Sequence, residues 1–175
     1  GAETPLILDH SLYSWNSAAR DVFLQLAPER DTVPLELNRS ELFARDNHHS
    51  EAMVYGYLPL MTSAQCVHAN TEKCDRKRGI LYLKDRYGKY FPVKNNCTEC
   101  YNTIYNTTPL MLFDERADFL RMGIAAYRIS FTIEEEEQAA FILDLFERTF
   151  LSGKHSVKEL FPVGYTRGHY KRGVE

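Results

Sequence analysis

Short apolar runs of strand length alternate along this chain with stretches whose apolar residues recur every three or four positions. That alternation restricts it to folds in which helices pack on a largely parallel sheet. Leu6-Ile7-Leu8 reads as a buried strand. Ser14 or Asn16 can cap the segment after it, because their side-chain oxygens accept from the free backbone N–H groups of a helix start. Across residues 17–27 the side chains Ala18, Ala19, Val22, Phe23 and Leu26 fall on one helix face, and Pro28 follows. Residues 33–37 read as a second strand, with Pro34 tolerable only near its start. Ser40 caps a short helix over 41–44, residues 45–51 form a polar loop holding His48 and His49, and 53–61 form a third strand. After residue 109 the pattern resumes with a strand over 109–113 and a helix over 114–122 that Gly123 ends. A strand over 124–131 then leads to a long helix over 133–151, capped by Thr132 and stopped by Gly153. Glu134 to Glu137 place acid at the positive end of that last helix. About four strand–helix units amount to half of an eightfold (β/α) barrel.

Two alternating runs, 80–85 and 90–94, flank Arg86-Tyr87-Gly88-Lys89, the pattern of a β-hairpin inserted before the last two units. The stretch 66–78 has no periodicity and reads as a loop. The fold class expected is therefore α/β: half of a (β/α) barrel-like parallel sheet with an inserted β-hairpin carrying a four-cysteine site. The four cysteines, Cys66, Cys74, Cys97 and Cys100, bracket the hairpin in two pairs with gaps of seven, twenty-two and two residues. A hairpin brings its ends together, so all four sulfurs can converge at its base. Four thiolates complete a tetrahedral zinc site or supply one sulfur to each iron of a four-iron cluster. Lys73, Arg76, Lys77, Arg78 and Lys94 would lower the thiol pKa values and offset the thiolate charge. The wide first gap leans against a simple zinc ribbon. The competing readings are reduced thiols without a ligand and a disulfide.

The 175 residues fit a single domain over 6–175, with the insertion at about 66–106 and residues 1–5 read as a tag or linker remnant. A 44% hydrophobic share with eleven Tyr and ten Phe supplies a core and excludes a disordered chain. A net charge of −3 argues against a nucleic-acid coat or a membrane-surface binder. The basic run Arg167-Gly168-His169-Tyr170-Lys171-Arg172 reads as a solvated tail, with a local RNA patch as the alternative. No apolar run approaches the roughly 18–20 residues a membrane span needs. No signal peptide is evident, so a cytoplasmic location is expected. The other chemistry-bearing candidates are His10, beside Asp9 at the end of the first strand, and Glu36 near the end of the second, where barrel enzymes carry catalytic groups. No G-x-S-x-G, H-E-x-x-H or phosphate-cradling glycine loop occurs, and the one close Cys/His pair is Cys66 and His68.

Longer stretches carry a resemblance. Residues 54–66 (Val-Tyr-Gly-Tyr-Leu-Pro-Leu-Met-Thr-Ser-Ala-Gln-Cys) and 83–89 (Leu-Lys-Asp-Arg-Tyr-Gly-Lys) with Phe91-Pro92-Val93 and Cys97 resemble segments of the U-32 peptidase family. So do Ile104-Tyr105-Asn106 before Pro109-Leu110 and the ending Tyr165-Thr166-Arg167-Gly168-His169. The resemblance covers about residues 6–175 and is strongest to the C-terminal part of long bacterial members. It implies a (β/α)-barrel-type fold and two functional stories. One is the collagenase-like peptidase, a hydrolase, that names the family. The other is that of relatives in which four cysteines hold a four-iron, four-sulfur cluster (4Fe-4S) that supports hydroxylation of tRNA, ribosomal RNA or a quinone precursor. By position Cys66, Cys74 and Cys97 fit that cysteine set, whereas Cys100 lies closer to Cys97 than the family's fourth ligand. The family's Gly-x-Cys-x-aliphatic-Ser element is missing here, as is the first half of a barrel. The implied partners are the rest of a parent chain, an RNA or peptide substrate, and a second copy in a homodimer, with no membrane. The reading of the chain is thus an RNA-modification domain with an iron–sulfur cluster or zinc. Its alternatives are a metal- or cysteine-dependent peptidase using Glu36 and His10, and a structural zinc-stapled module.

Overall fold

Local caps and turns position the first elements. In the computed structural model, which describes residues 4–71, 74, 76, 79–161 and 164–173, strand β1 (Ile7–Leu8) leads into α1 (Ser17–Leu24). The Asn16 side chain accepts from the Ala19 N–H at 2.9 Å, so the expected cap forms. Strand β2 (Arg30–Thr32) lies parallel to β1. Helix α2 (Arg39–Ala44) opens on a reciprocal box in which Asn38 caps the Glu41 N–H and Glu41 returns to the Asn38 N–H. Strand β3 (Ser50–Gly56) pairs parallel with β2.

The chain then builds a second sheet. β4 (Pro59–Ser63), helix α3 (Val67–Thr71), β5 (Ile80–Lys84), β6 (Tyr90–Asn96) and β7 (Tyr101–Tyr105) form a four-stranded antiparallel sheet in the order β4-β7-β6-β5. It returns through β8 (Leu110–Met111), antiparallel to the end of β3, and α4 (Arg116–Arg121). Strand β9 (Ala126–Ser130) runs parallel along the other edge of β3 and leads to α5 (Glu136–Phe146), which continues as a π-helical turn, Glu147–Leu151. A short α6 (Val157–Leu160) follows. The core is centred on Val54, Met111, Phe113, Phe119, Leu145 and Phe150.

The result is a mixed α/β architecture of two sheets, neither of them a closed barrel. It departs from the expected parallel half barrel in that β8 is antiparallel, and the insertion is four-stranded rather than a two-stranded hairpin. The second strand forms at Arg30–Thr32 rather than over 33–37. Asp31 and Thr32 find buried polar partners on neighbouring elements, while Pro34 has no N–H to give a ladder. The expected strand over 53–61 is two strands, separated where Tyr57 and Leu58 carry the chain from one sheet to the other. Gly56 ends the first of them, and a Cβ there would come within 3.0 Å of the Ser130 carbonyl oxygen of β9. The last helix starts at Glu136 rather than 133, because the Glu134 carboxylate accepts the N–H groups of Thr132 and Ile133 and holds them in a loop. The expected loop 66–78 contains α3. Lys73, Lys77, Arg78 and most of residues 1–5 lie outside the described residues.

The C-terminal run is not a solvated tail. Thr166 bridges to Leu110 beside β8, and Tyr170 is buried, with its carbonyl accepting from the Arg39 N–H at 2.7 Å. Arg167 and Lys171 pair with Glu115. Beneath them Asp118 accepts from Arg39, from Arg121 and from the Tyr170 hydroxyl at 3.0 Å. The Arg39 hydrogen bond outweighs the opposing effect of burial and holds the Asp118 carboxyl far below its usual 3.8. A depressed folded-state pKa means that this stabilisation is complete above about pH 4 and is lost as the pH falls below it. The protection of amides 164–173 against exchange, relative to their intrinsic rates at each pH, is expected to fall below about pH 4, and at neutral pH in Asp118→Asn. Equal protection at pH 3 and pH 7 would show that the clasp carries no charge-dependent stability.

Candidate functional site

The antiparallel sheet brings cysteine-bearing segments from three places to one of its ends. β4 finishes opposite the start of β7, with Ser63 paired to Asn102, and the Asn102 side chain donates to the Gln65 carbonyl at 2.8 Å, next to Cys66. Cys97 and Cys100 are the first and last residues of the four-residue turn that joins β6 to β7, between the paired Asn96 and Tyr101. The chain carrying Cys74 enters β5 at the same end, where the Gly79 carbonyl accepts from the Asn95 N–H and Ile80 pairs with Lys94. A cavity of about 310 Å³ lies there, lined by Gly79, Lys94, Asn95, Asn96, Cys97 and Glu99. The buried side-chain oxygens Oδ1 of Asn95 and of Asn102 have no hydrogen-bond partner among the described residues. Such orphaned acceptors are uncommon in folded proteins and mark a polar end of the sheet.

Cys66 and the Cys97–Cys100 turn stand at this end without the cysteines being gathered into one cluster. Among the described residues no group of three or more His, Cys, Asp or Glu side chains stands close enough to hold a metal ion. None of the four is in a disulfide; Cys66 and Cys97 are half-buried, Cys74 and Cys100 exposed. The Nζ of Lys94, which lines this cavity with Cys97, donates to the Thr132 carbonyl at 3.0 Å. The Arg76 side chain is exposed, and nothing is described for the side chain of His68.

The candidates at the parallel sheet divide. His10 sits in the 3-10 turn after β1, its Nδ1 3.2 Å from Asp9. Glu36 is not on a strand; it lies half-buried in a turn beyond β2, and its Oε2 is buried without a hydrogen-bond partner among the described residues. No hydrogen bond or ion pair joins the two.

What sequence reasoning missed is the network around them. Asp9 follows β1, Thr32 ends β2 and Glu51 stands beside Thr32 on β3. Arg128 reaches from β9 to both carboxylates, 2.9 Å from Asp9 and in contact with Glu51, which also accepts from the Thr32 hydroxyl at 2.9 Å. Burial pulls the Asp9 carboxyl upward, but the Ser11 hydroxyl and N–H, His10 and Arg128 together bring it down to about 2. This arrangement fixes Asp9, and through it one face of His10. Arg128, a charged residue inside the strand read over 124–131, was its only trace in the sequence. No protein-family model matches the chain, and no curated protein or solved structure matches it.

Proposed function

We propose that this chain is a domain of a U-32-type RNA-modifying enzyme, in which Cys66, Cys74, Cys97 and Cys100 hold an iron–sulfur cluster in preference to zinc. The observation that carries this reading is the approach of three separate segments, each bearing cysteine, to one end of the antiparallel sheet. The donor set fits a thiophilic metal in kind. When bound, a four-iron cluster would supply one-electron chemistry. The chain's own part is to present thiolates: Cys97 and Cys100 from a turn held by β6 and β7, Cys66 from the start of α3. The peptidase reading has less behind it, since neither His10 nor Glu36 hydrogen-bonds to a serine or cysteine among the described residues.

In the same reading β1, β2, β3 and β9, four parallel strands that are neighbours in the sheet, are a segment of a (β/α) barrel. Helix α1 buries no residue, and Val22 and Leu26 are each 60% exposed, which suits a face that meets the rest of a parent chain or a second copy. Purification without oxygen, followed by a visible spectrum and iron, zinc and sulfide analysis, tests the site. A brown protein with about four irons per chain is expected, and Cys97→Ser should lose the colour while keeping its far-ultraviolet circular dichroism. Colourless protein with one zinc would make the site a structural staple, and metal-free protein would remove the cluster reading.

A further inference from the structure

We propose that Cys97 and Cys100 are a redox modification site whose substrate is a hydroperoxide, closing to a disulfide across the turn between β6 and β7. This goes beyond the metal reading and does not depend on a bound metal. The turn is built for it. Residues 97–100 form a four-residue turn whose flanks, Asn96 and Tyr101, are paired in the sheet. A turn of that length keeps its first and last Cα atoms within about 7 Å. A disulfide spans Cα separations of about 4.4–6.8 Å, a range that the ends of a four-residue turn can meet. The Cys100 sulfur already lies 3.9 Å from the Cys97 carbonyl oxygen, folded back over its partner's backbone. Cys100 takes a φ of 55°, a left-handed conformation unusual for a residue with a side chain.

Exposure assigns the roles. Cys100 is exposed and meets the oxidant; Cys97 is half-buried at the end of β6 and resolves the product. The Cys100 sulfur attacks one peroxide oxygen and the O–O bond breaks. With hydrogen peroxide, the departing hydroxide takes up the thiol proton and leaves as water, and Cys100 becomes a sulfenic acid. The Cys97 sulfur then attacks the Cys100 sulfur, the S–O bond breaks, and a second water leaves with the Cys97 proton. The two thiols give up two electrons, and the peroxide accepts them. Cys66 and Cys74 stand on other segments and are left reduced.

The test uses the full chain, treated with a chelator, exposed to hydrogen peroxide, alkylated with iodoacetamide and digested with trypsin. Cleavage after Lys94 and Arg116 places Cys97 and Cys100 alone in one peptide, 95–116. That peptide is expected unalkylated and two hydrogens lighter, returning to the doubly alkylated form after reduction, while the peptides with Cys66 and Cys74 are alkylated throughout. In Cys97→Ser, dimedone is expected to trap the sulfenic acid on Cys100. Full alkylation of 95–116 after peroxide, a link from either residue to Cys66 or Cys74, or dimedone on another cysteine would each overturn the proposal. Metal content is read on a separate untreated sample, so failure here is distinguishable from failure of the cluster reading.

Discussion

Arg45→Ala is expected to lower the free energy of unfolding by about 3–5 kcal/mol, the range for removing one partner of a buried ion pair. Arg45 and Asp31 have side chains 9% and 8% exposed. Arg45 reaches back from the end of α2 to Asp31 on β2, and donates to Asn47 and to the Ser50 hydroxyl at 3.0 and 2.9 Å. Asp31 also accepts from the Ser50 hydroxyl at 2.6 Å. Burial pulls the Arg45 pKa down, opposed by the Asp31 charge. Removing the guanidinium leaves Asp31 with hydroxyl donors alone in a site that excludes water. The double variant Asp31→Leu with Arg45→Met takes away both charges and is expected to recover much of the loss. Urea denaturation of the three proteins decides it; a loss below about 1 kcal/mol in Arg45→Ala would mean that water reaches the pair.

Phe150→Ala is expected to cost about 3–5 kcal/mol. Phe150 is 1% exposed and lies in the π-helical turn after α5, its ring centre 4.6 Å from Tyr127 and 4.9 Å from Phe146. It joins the last helical segment to β9, so its loss leaves a cavity at the seam between helix and sheet. Neighbouring Leu151 is 57% exposed, and Leu151→Ala should change stability by no more than about 0.5 kcal/mol. Similar losses for both variants would place the buried stripe on another face of the segment.

Elements whose signals were local could be read from the sequence. The Asn16 cap, the apolar runs that became β1 and β9, and the glycine that ends α4 each rest on residues close in the chain. Gly123 takes a φ of 73°, as its position after a helix implied. Distant partners decided the rest. β2 formed around Asp31 and Thr32 because Arg45, Ser50 and Glu51 bury them, and a polar dipeptide gives no strand signal of its own. β7 was hidden by Asn102, fully buried at a position where alternation calls for an apolar residue. Arg128 meets Asp9 across 119 positions of sequence, beyond the reach of any spacing rule. The four cysteines were legible as a group; their failure to gather among the described residues does not follow from spacing at all.

The crossing at Tyr57 and Leu58 has a consequence for how the parallel sheet comes together. β3 must meet β8 and β9, which lie beyond an excursion of roughly fifty residues, and closing a flexible loop of that length costs on the order of 3–4 kcal/mol of chain entropy. The excursion ties its own ends first: Pro59 pairs with Tyr105, and the Asn106 N–H donates to the Leu58 carbonyl at 3.0 Å. Once those strands are knitted, the chain arriving at β8 leaves from a point only a few residues from β3. The antiparallel sheet thus acts as a clasp on the polypeptide, bearing the cysteines at its far end and shortening, at its near end, the search by which the larger sheet finds its last strands.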